Sequence, residues 1–257
     1  MLIFVTDPHD ARLADFVGLR DAQLRRCEDR FIAEGLKIIE RAFAAGCRPR
    51  SLLLQPRWLP GLEPLLADWP EVPVYVAPEA MIEEVSGFHV HRGALGSFDR
   101  PAEAEWRLML GARRIIACEE IVDHANTGAL ARLAAGLGWD ALLVSPGGAD
   151  PLYRRAIKSS MGATLSLPWR RMESSADLMR LKESGFRLVA STLSPTAVDL
   201  AGYRPAERIV LLLGTEGSGL SDEWLALADD HVTIPMTDQV DSLNVATAAA
   251  IFAYALR

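Results

Sequence analysis

Predominantly apolar segments of four or five residues, most of them not alternating, punctuate the second half of this chain. They are Arg114–Cys118, Ala141–Val144, Ala163–Leu167, Phe186–Ala190 and Ile209–Leu213, with a shorter run at Val232–Ile234. Unbroken apolar character belongs to strands covered on both faces, as in a parallel sheet. Between them, 126–137, 151–158 and 175–183 carry apolar residues at helical spacing. The first half has the same alternation on a smaller scale. Met1–Pro8 reads as a first strand or extended arm, and Phe31–Ala33, Ser51–Leu54 and Val72–Val76 as strands. Helices are expected over 12–30, over Glu34–Ala45 with Leu36, Ile39 and Phe43 on one face, over the proline-interrupted 58–69, and over 78–85. Residues 98–105 (FDRPAEAE) have charge, a proline and no periodicity. The pattern therefore predicts a small α/β domain over 1–97, a linker over 98–105, and an α/β domain with a parallel sheet over 106–257.

The most informative stretch is Ile209–Arg257. A buried strand enters the turn Gly214–Leu220, Ser221 caps a short acidic helix, and a second strand ends at Pro235-Met236. A polar loop then reaches Ser242-Leu243-Asn244 and a long apolar helix. Two strand ends followed by backbone-rich loops are where open α/β sheets take small ligands. The turn is no P-loop, since no GK[ST] follows, and GxGxxG does not fit it. Its glycines predict a bare backbone against a ligand instead of a phosphate cradle.

Two more clusters carry polar residues in apolar surroundings. Asn126 stands at the expected start of a helix, where capping is its plain role. Gly128 and Arg132 follow in the same helix, and a guanidinium between Leu130 and Leu133 calls for a partner or the edge of the stripe. Ser242 reads as an N-cap and Asn244 as a first-turn polar residue. His89 and His91 alternate on a possible strand without a third ligand nearby, so no metal site is expected. The absence of GxSxG leaves a nucleophile-elbow hydrolase unsupported.

Composition narrows the classes. No run of about 18 apolar residues is present, so no membrane span is expected. Cys27, Cys47 and Cys118 are far apart, which predicts reduced thiols and a cytoplasmic setting. A net charge of −7 argues against a nucleic-acid partner when taken alone. The basic residues are clustered, however, at 20–30, 48–50, 154–158 and 170–171. Such local patches leave phosphate binding open.

Taken together and in order, Asn126-x-Gly128-x-x-x-Arg132, Gly214-x-Glu216-Gly217-x-Gly219-Leu220, and Ile234-Pro235-Met236 with Ser242-Leu243-Asn244-Val245 resemble the three motifs of the SpoU (TrmH) RNA ribose methyltransferases of the SPOUT class. The resemblance covers roughly 113–257. The first half resembles the family's ribosomal-protein-like RNA-binding domain, through Glu34-Gly35-Leu36 and His91-Arg92-Gly93. The resemblance implies a C-terminal segment tied in a trefoil knot, a homodimer with its site at the dimer interface, and S-adenosylmethionine held by Gly214, Gly219, Ile234, Met236, Leu243 and Leu193. It implies methyl transfer to a ribose 2′-hydroxyl of RNA, ribosomal slightly favoured over transfer RNA, with no metal. Arg132, Asn126, Glu216, Ser242 and Asn244 would be the catalytic set. Val122-Asp123-His124-Ala125 departs from the family's usual proline-containing turn. A non-catalytic RNA-binding protein on the same scaffold is the alternative, and a small-molecule methyltransferase a weaker third.

Overall fold

The computed structural model describes residues 1–19, 29–88, 90, 93–237 and 239–257. His89, His91, Arg92, Cys27 and most of the 20–30 basic cluster lie outside the described residues. The chain forms two compact units: Met1–Ala102 with Leu152–Leu165, and Glu103–Pro151 with Ser166–Arg257.

In the first unit the strands are β1 (Leu2–Phe4), β2 (Arg30–Glu34), β3 (Pro49–Leu54), β4 (Val74–Val76) and β5 (Ala94–Asp99). They form one sheet in the order β1-β4-β3-β5-β2. β1, β4 and β3 run parallel, whereas β5 is antiparallel to both β3 and β2. Helices α1 (Leu36–Ala44), α2 (Leu59–Leu66) and α3 (Glu79–Ser86) connect them. The helix expected over 12–30 is, in its described part, a 3-10 turn over Ala11–Phe16 capped by Asp10. Its Leu13 and Phe16 enter a core with Ile32, Leu53, Tyr75 and Ile82. Phe98 and Asp99, expected in a linker, finish β5 because the Phe98 ring is fully buried and stacks on Phe31 at 5.4 Å.

The second unit holds a seven-stranded, wholly parallel sheet. After α4 (Trp106–Gly111) come β6 (Arg114–Cys118), α5 (His124–Leu137) and β7 (Ala141–Val144). The segment α6 (Arg154–Ser159) and a 3-10 turn at Ala163–Leu165 belong to the first unit. The chain re-enters with β8 (Trp169–Arg171), α7 (Ala176–Glu183), β9 (Arg187–Ser191), β10 (Val198–Asp199), β11 (Ile209–Leu213), α8 (Asp222–Leu227), β12 (Asp230–Thr233) and α9 (Val245–Ala255). The order is β10-β12-β9-β11-β6-β7-β8. β11 lies between β9 and β6 and is buried throughout, as its unbroken apolar run requires. One sheet face packs on Leu178 and Leu181 of α7 and Trp224 of α8. α5 and α9 pack together and on β7 and β11, and Trp139 Nε1 donates to Ala253 O at 3.0 Å.

The strand expected at Ala163–Leu167 is absent. Buried Ser160 turns the backbone there: its Oγ accepts from Gly162 N at 3.1 Å, and Thr164 packs against it at 3.3 Å. The strand forms after Pro168 instead, where Leu142 N bonds Pro168 O. Residues 152–165 join the first unit through Glu34, a buried carboxylate. It accepts from Arg154 Nη1 at 2.7 Å and Lys158 Nζ at 2.6 Å.

Candidate active site

β11 delivers its last residue into a turn that tolerates no side chain at its first position. A Cβ on Gly214 would sit 2.1 Å from the carbonyl carbon and oxygen of Gly219. Real Cβ atoms do not approach backbone that closely, so only glycine closes the turn. Thr215 and Gly219 exchange backbone hydrogen bonds at 3.0 and 3.1 Å, and Gly219 has a φ of 70°. Ser221 then caps α8, its Oγ accepting from Trp224 N. Glu119, buried at the end of β6, holds this cap in place. It accepts from Ser221 N at 2.7 Å and Ser221 Oγ at 2.5 Å. Nothing in its residue type marks Glu119 along the chain, and its place just past the end of β6 is the signal that points to it.

Behind this turn lies a cavity of about 620 Å³, within the range of small-molecule sites. Gly214, Gly219, Ile234, Met236, Leu243 and Leu193, singled out as cofactor contacts, all line it. Glu216 and Ser242 line it as well. So do Leu213, Leu225, Val245 and Phe252, which sequence reasoning passes over because they read as ordinary core positions. Leu193 is 60% exposed, an apolar side chain at the open side.

Three distant residues meet beside the cavity. Asn126 Nδ2 donates to Glu216 Oε1 at 2.9 Å, Asn244 Nδ2 to the same oxygen at 2.5 Å, and Asn244 Nδ2 also to Asn126 Oδ1 at 3.1 Å. Helix capping makes this possible. Asn126 is not the cap of α5: Asp123 is, accepting from Ala125 N at 2.5 Å, which leaves the Asn126 amide free one turn on. Asn244, not Ser242, caps α9. Its Oδ1 accepts from Ala246 N and Thr247 N at 3.0 and 3.2 Å. With Oδ1 committed to the helix, Nδ2 is aimed at the carboxylate. Ser242 is exposed and stays outside this hydrogen-bonded set.

Arg132 does not join the cluster. It is exposed, and among the described residues it makes no hydrogen bond or ion pair. Six residues along α5 from Asn126, its side chain is turned by about 240° about the helix axis. Cys118, at the end of β6, is fully buried, and burial pushes its thiol up to about 12, so it is no nucleophile at neutral pH. Among the described residues no group of three His, Cys, Asp or Glu could hold a metal, and no helix is long and apolar enough to cross a membrane.

The sequence profile of the SpoU rRNA Methylase family matches residues 113–254, and that of an MRM3-like substrate binding domain matches residues 11–93. The chain belongs to the SpoU rRNA methylase family. It is 42% identical over 259 residues to an uncharacterised tRNA/rRNA methyltransferase of Mycobacterium tuberculosis, covering 97% of this chain and 90% of that one. It is 30% identical over 146 residues to the 23S rRNA (guanosine(2553)-2′-O)-methyltransferase of Bacillus subtilis, covering 57% of this chain and 58% of that one. Its fold is that of an AdoMet-bound rRNA methyltransferase from Sinorhizobium meliloti, with a TM-score of 0.86, 22% identity, and coverage of 100% of this chain and 97% of that one. The α/β architecture with a parallel sheet is thus that of the SPOUT methyltransferases. The family match spans the site: the asparagine–glutamate cluster and the cavity both fall inside it.

Proposed function

We propose that this SpoU-family protein transfers a methyl group from S-adenosylmethionine to a ribose 2′-hydroxyl of RNA, with ribosomal RNA favoured over transfer RNA. The observation that carries the reading is the meeting of Asn126, Glu216 and Asn244, one from each motif, beside a cavity walled by bare backbone. The Bacillus subtilis relative is named for 2′-O-methylation of ribosomal RNA, and the Sinorhizobium meliloti structure for bound AdoMet.

The cavity fits the cofactor chemically. Leu213, Ile234 and Phe252 offer an apolar slot for an adenine, and the stripped backbone at Gly214 and Gly219 offers amide and carbonyl partners. Glu216 and Asp241 add carboxylates for a cationic ligand. Gly214, Gly219, Ile234, Met236, Leu243 and Leu193 would hold it. Once bound, the sulfonium supplies a methyl group on an already activated leaving group, so the chemistry calls on no metal.

The chain's own residues have two tasks. Asn126, Glu216 and Asn244 form a rigid polar edge that orients the ribose, with Ser242 beside them at the cavity. As the ribose oxygen takes the methyl, its proton passes to solvent water and the sulfonium leaves as the neutral thioether S-adenosylhomocysteine; Arg132 stabilises the negative charge that develops on that oxygen and holds the adjoining phosphate. A guanidinium keeps its proton at neutral pH, so it acts as an electrostatic group and not as the base. Because Arg132 turns away from the cluster on its own chain, this role requires a homodimer in which Arg132 of one subunit reaches the cavity of the other. Ile251 and Tyr254 on α9, 41% and 59% exposed, give an apolar face suited to a second copy. The trefoil knot belongs to the same proposal. It is supported by β11 inserting between β9 and β6 while α9 returns to pack on α5. The first unit, Met1–Ala102 with Leu152–Leu165, would present the RNA to the catalytic second unit. Buried, unpaired Cys47 and Cys118 suit a cytoplasmic setting.

The test is transfer of tritiated methyl from S-adenosylmethionine to total RNA, with nucleoside mass spectrometry of the product. A 2′-O-methylated nucleoside is expected. Cofactor binding without transfer to any RNA would favour the non-catalytic RNA binder, and activity surviving ribonuclease treatment would favour a small-molecule substrate.

A further inference from the structure

Glu120 adopts a left-handed backbone, with a φ of 49°, which a glutamate has no local reason to take. Such a conformation persists only when the surroundings over-determine it. Here the surroundings are the loop that follows β7. Glu120 N donates to Ser145 Oγ at 2.8 Å, and Ser145 Oγ also lies 2.8 Å from Glu120 Oε1, the acceptor of its proton. Gly147 N donates to the same carboxylate oxygen at 3.3 Å. A Cβ on Gly147 would sit 2.1 Å from Glu120 Oε2, so the carboxylate lies flat against the bare Cα. Two backbone bonds complete the seam: Ser145 N to Cys118 O at 2.9 Å and Ala149 N to Ile121 O at 2.8 Å. From below, Arg171 Nη1 donates to the carbonyls of Ser145, Pro146 and Gly148.

We infer that Glu120 is a positioning residue for the RNA: its carboxylate locks the Ser145–Gly148 loop to the segment leading into Asn126, and so presets the wall against which the acceptor nucleotide rests. This rests on the proposed RNA methyl transfer. The cavity is lined by residues 191–252, from the β9, β11 and β12 side of the sheet. β7 lies on the opposite side of β6 from β11, and the sheet is parallel, so its loop opens at the same end. An acceptor that approaches the Asn126–Glu216 edge from the side not taken by the cofactor meets residues 119–123 and 145–149. The clamp also abuts the segment that starts α5, since Ile121 is held by Ala149 and Asp123 starts the helix two residues later.

Three variants separate the carboxylate from the backbone: Glu120→Gln, Glu120→Ala and Glu120→Gly. Ala and Gly are expected to raise KM for RNA about tenfold while kcat stays within about threefold, a split that marks a weakened resting wall for the acceptor with the reacting geometry kept. Cofactor Kd, measured by calorimetry, should not move. Gln keeps an oxygen for Ser145 and Gly147 and should retain near wild-type KM. The Gly variant should melt above the Ala variant, because glycine takes positive φ freely, yet be no more active. A Gly variant with wild-type KM would overturn the inference, since backbone conformation alone would then suffice; so would a cofactor Kd that rises with KM. If the wild-type protein methylates no RNA, the proposed function fails first, and the clamp is read by hydrogen exchange at Gly147. Faster exchange in Ala and Gly but not in Gln supports it, and unchanged exchange in all three overturns it.

Discussion

Asn244 donates its side-chain amide to the Oδ1 of Asn126, 118 residues earlier, at 3.1 Å, and both amides converge on one oxygen of Glu216. The carboxylate is the hub of this arrangement. Glu216→Ala is expected to lower methyl transfer about a hundredfold, the scale of losing one positioned polar group at a reacting centre. Glu216 is exposed, so the thermal midpoint should stay within about 2 °C. Steady-state kinetics and a melting curve on the same preparation check both halves.

Gly214→Ala attacks the cofactor side. The new methyl would lie 2.1 Å from Gly219 backbone atoms, so the turn must open and S-adenosylmethionine binding should be lost in calorimetry. Arg132→Ala should do the reverse, abolishing transfer with binding intact. Mixed after dissociation and reassociation, the two inactive proteins should regain roughly a quarter of wild-type activity, the statistical yield of one intact site per heterodimer. No regain would remove Arg132 from the partner's site.

Glu34 tests the first unit alone. Its buried carboxylate answers two cations, Arg154 and Lys158. Glu34→Ala leaves both without it and should cost about 2–3 kcal/mol. Urea unfolding with a probe in that unit, such as fluorescence of Trp58, would measure the loss, and Glu34→Gln should recover part of it.

Asp230 gives a pH signature. The hydrogen bonds of the Arg187 guanidinium hold its carboxyl below the usual range against the opposing effect of burial, with help from the Tyr203 hydroxyl at 2.7 Å. A depressed carboxylate stabilises the fold above its unfolded pKa of about 3.9 and loses that contribution as the pH falls toward its lower folded value. Asp230→Asn should therefore cost about 1 kcal/mol at pH 6, a figure kept small because Arg187 is half exposed. The difference from wild type should shrink below about pH 4. Urea midpoints at pH 6.0 and 3.5 check the sign.

Much of this site was legible along the chain, because each motif brought a residue type with a narrow use. Gly214 had to be bare backbone, and Asn126, Glu216 and Asn244 were polar groups at strand or helix ends. What stayed hidden is tertiary. Whether Asn126 or Asp123 caps α5 turns on the tertiary partner of Asn126, and that partner lies 90 residues away. The pair Arg170-Arg171 read as a basic surface patch. In the fold both belong to β8, Arg170 over the Trp106 ring at 5.2 Å and Arg171 spent on loop carbonyls. Periodicity could not reveal that residues 152–165 pack with the first unit, since one buried glutamate distant in sequence helps to bring them there. Nor does it set strand direction, so the antiparallel β5 of the first sheet was invisible.

The contact between Gly214 and Gly219 has a genetic consequence. Every single-base change in a glycine codon either leaves glycine in place, ends the chain, or installs a residue with a Cβ. At position 214 each of those residues meets the same backbone atoms, whatever lies beyond the first carbon. Missense alleles there should consequently form one phenotypic class, from alanine to tryptophan, with no graded series between mild and severe. Saturation mutagenesis scored by methylation would show a step at this codon, where a merely crowded position would show a slope.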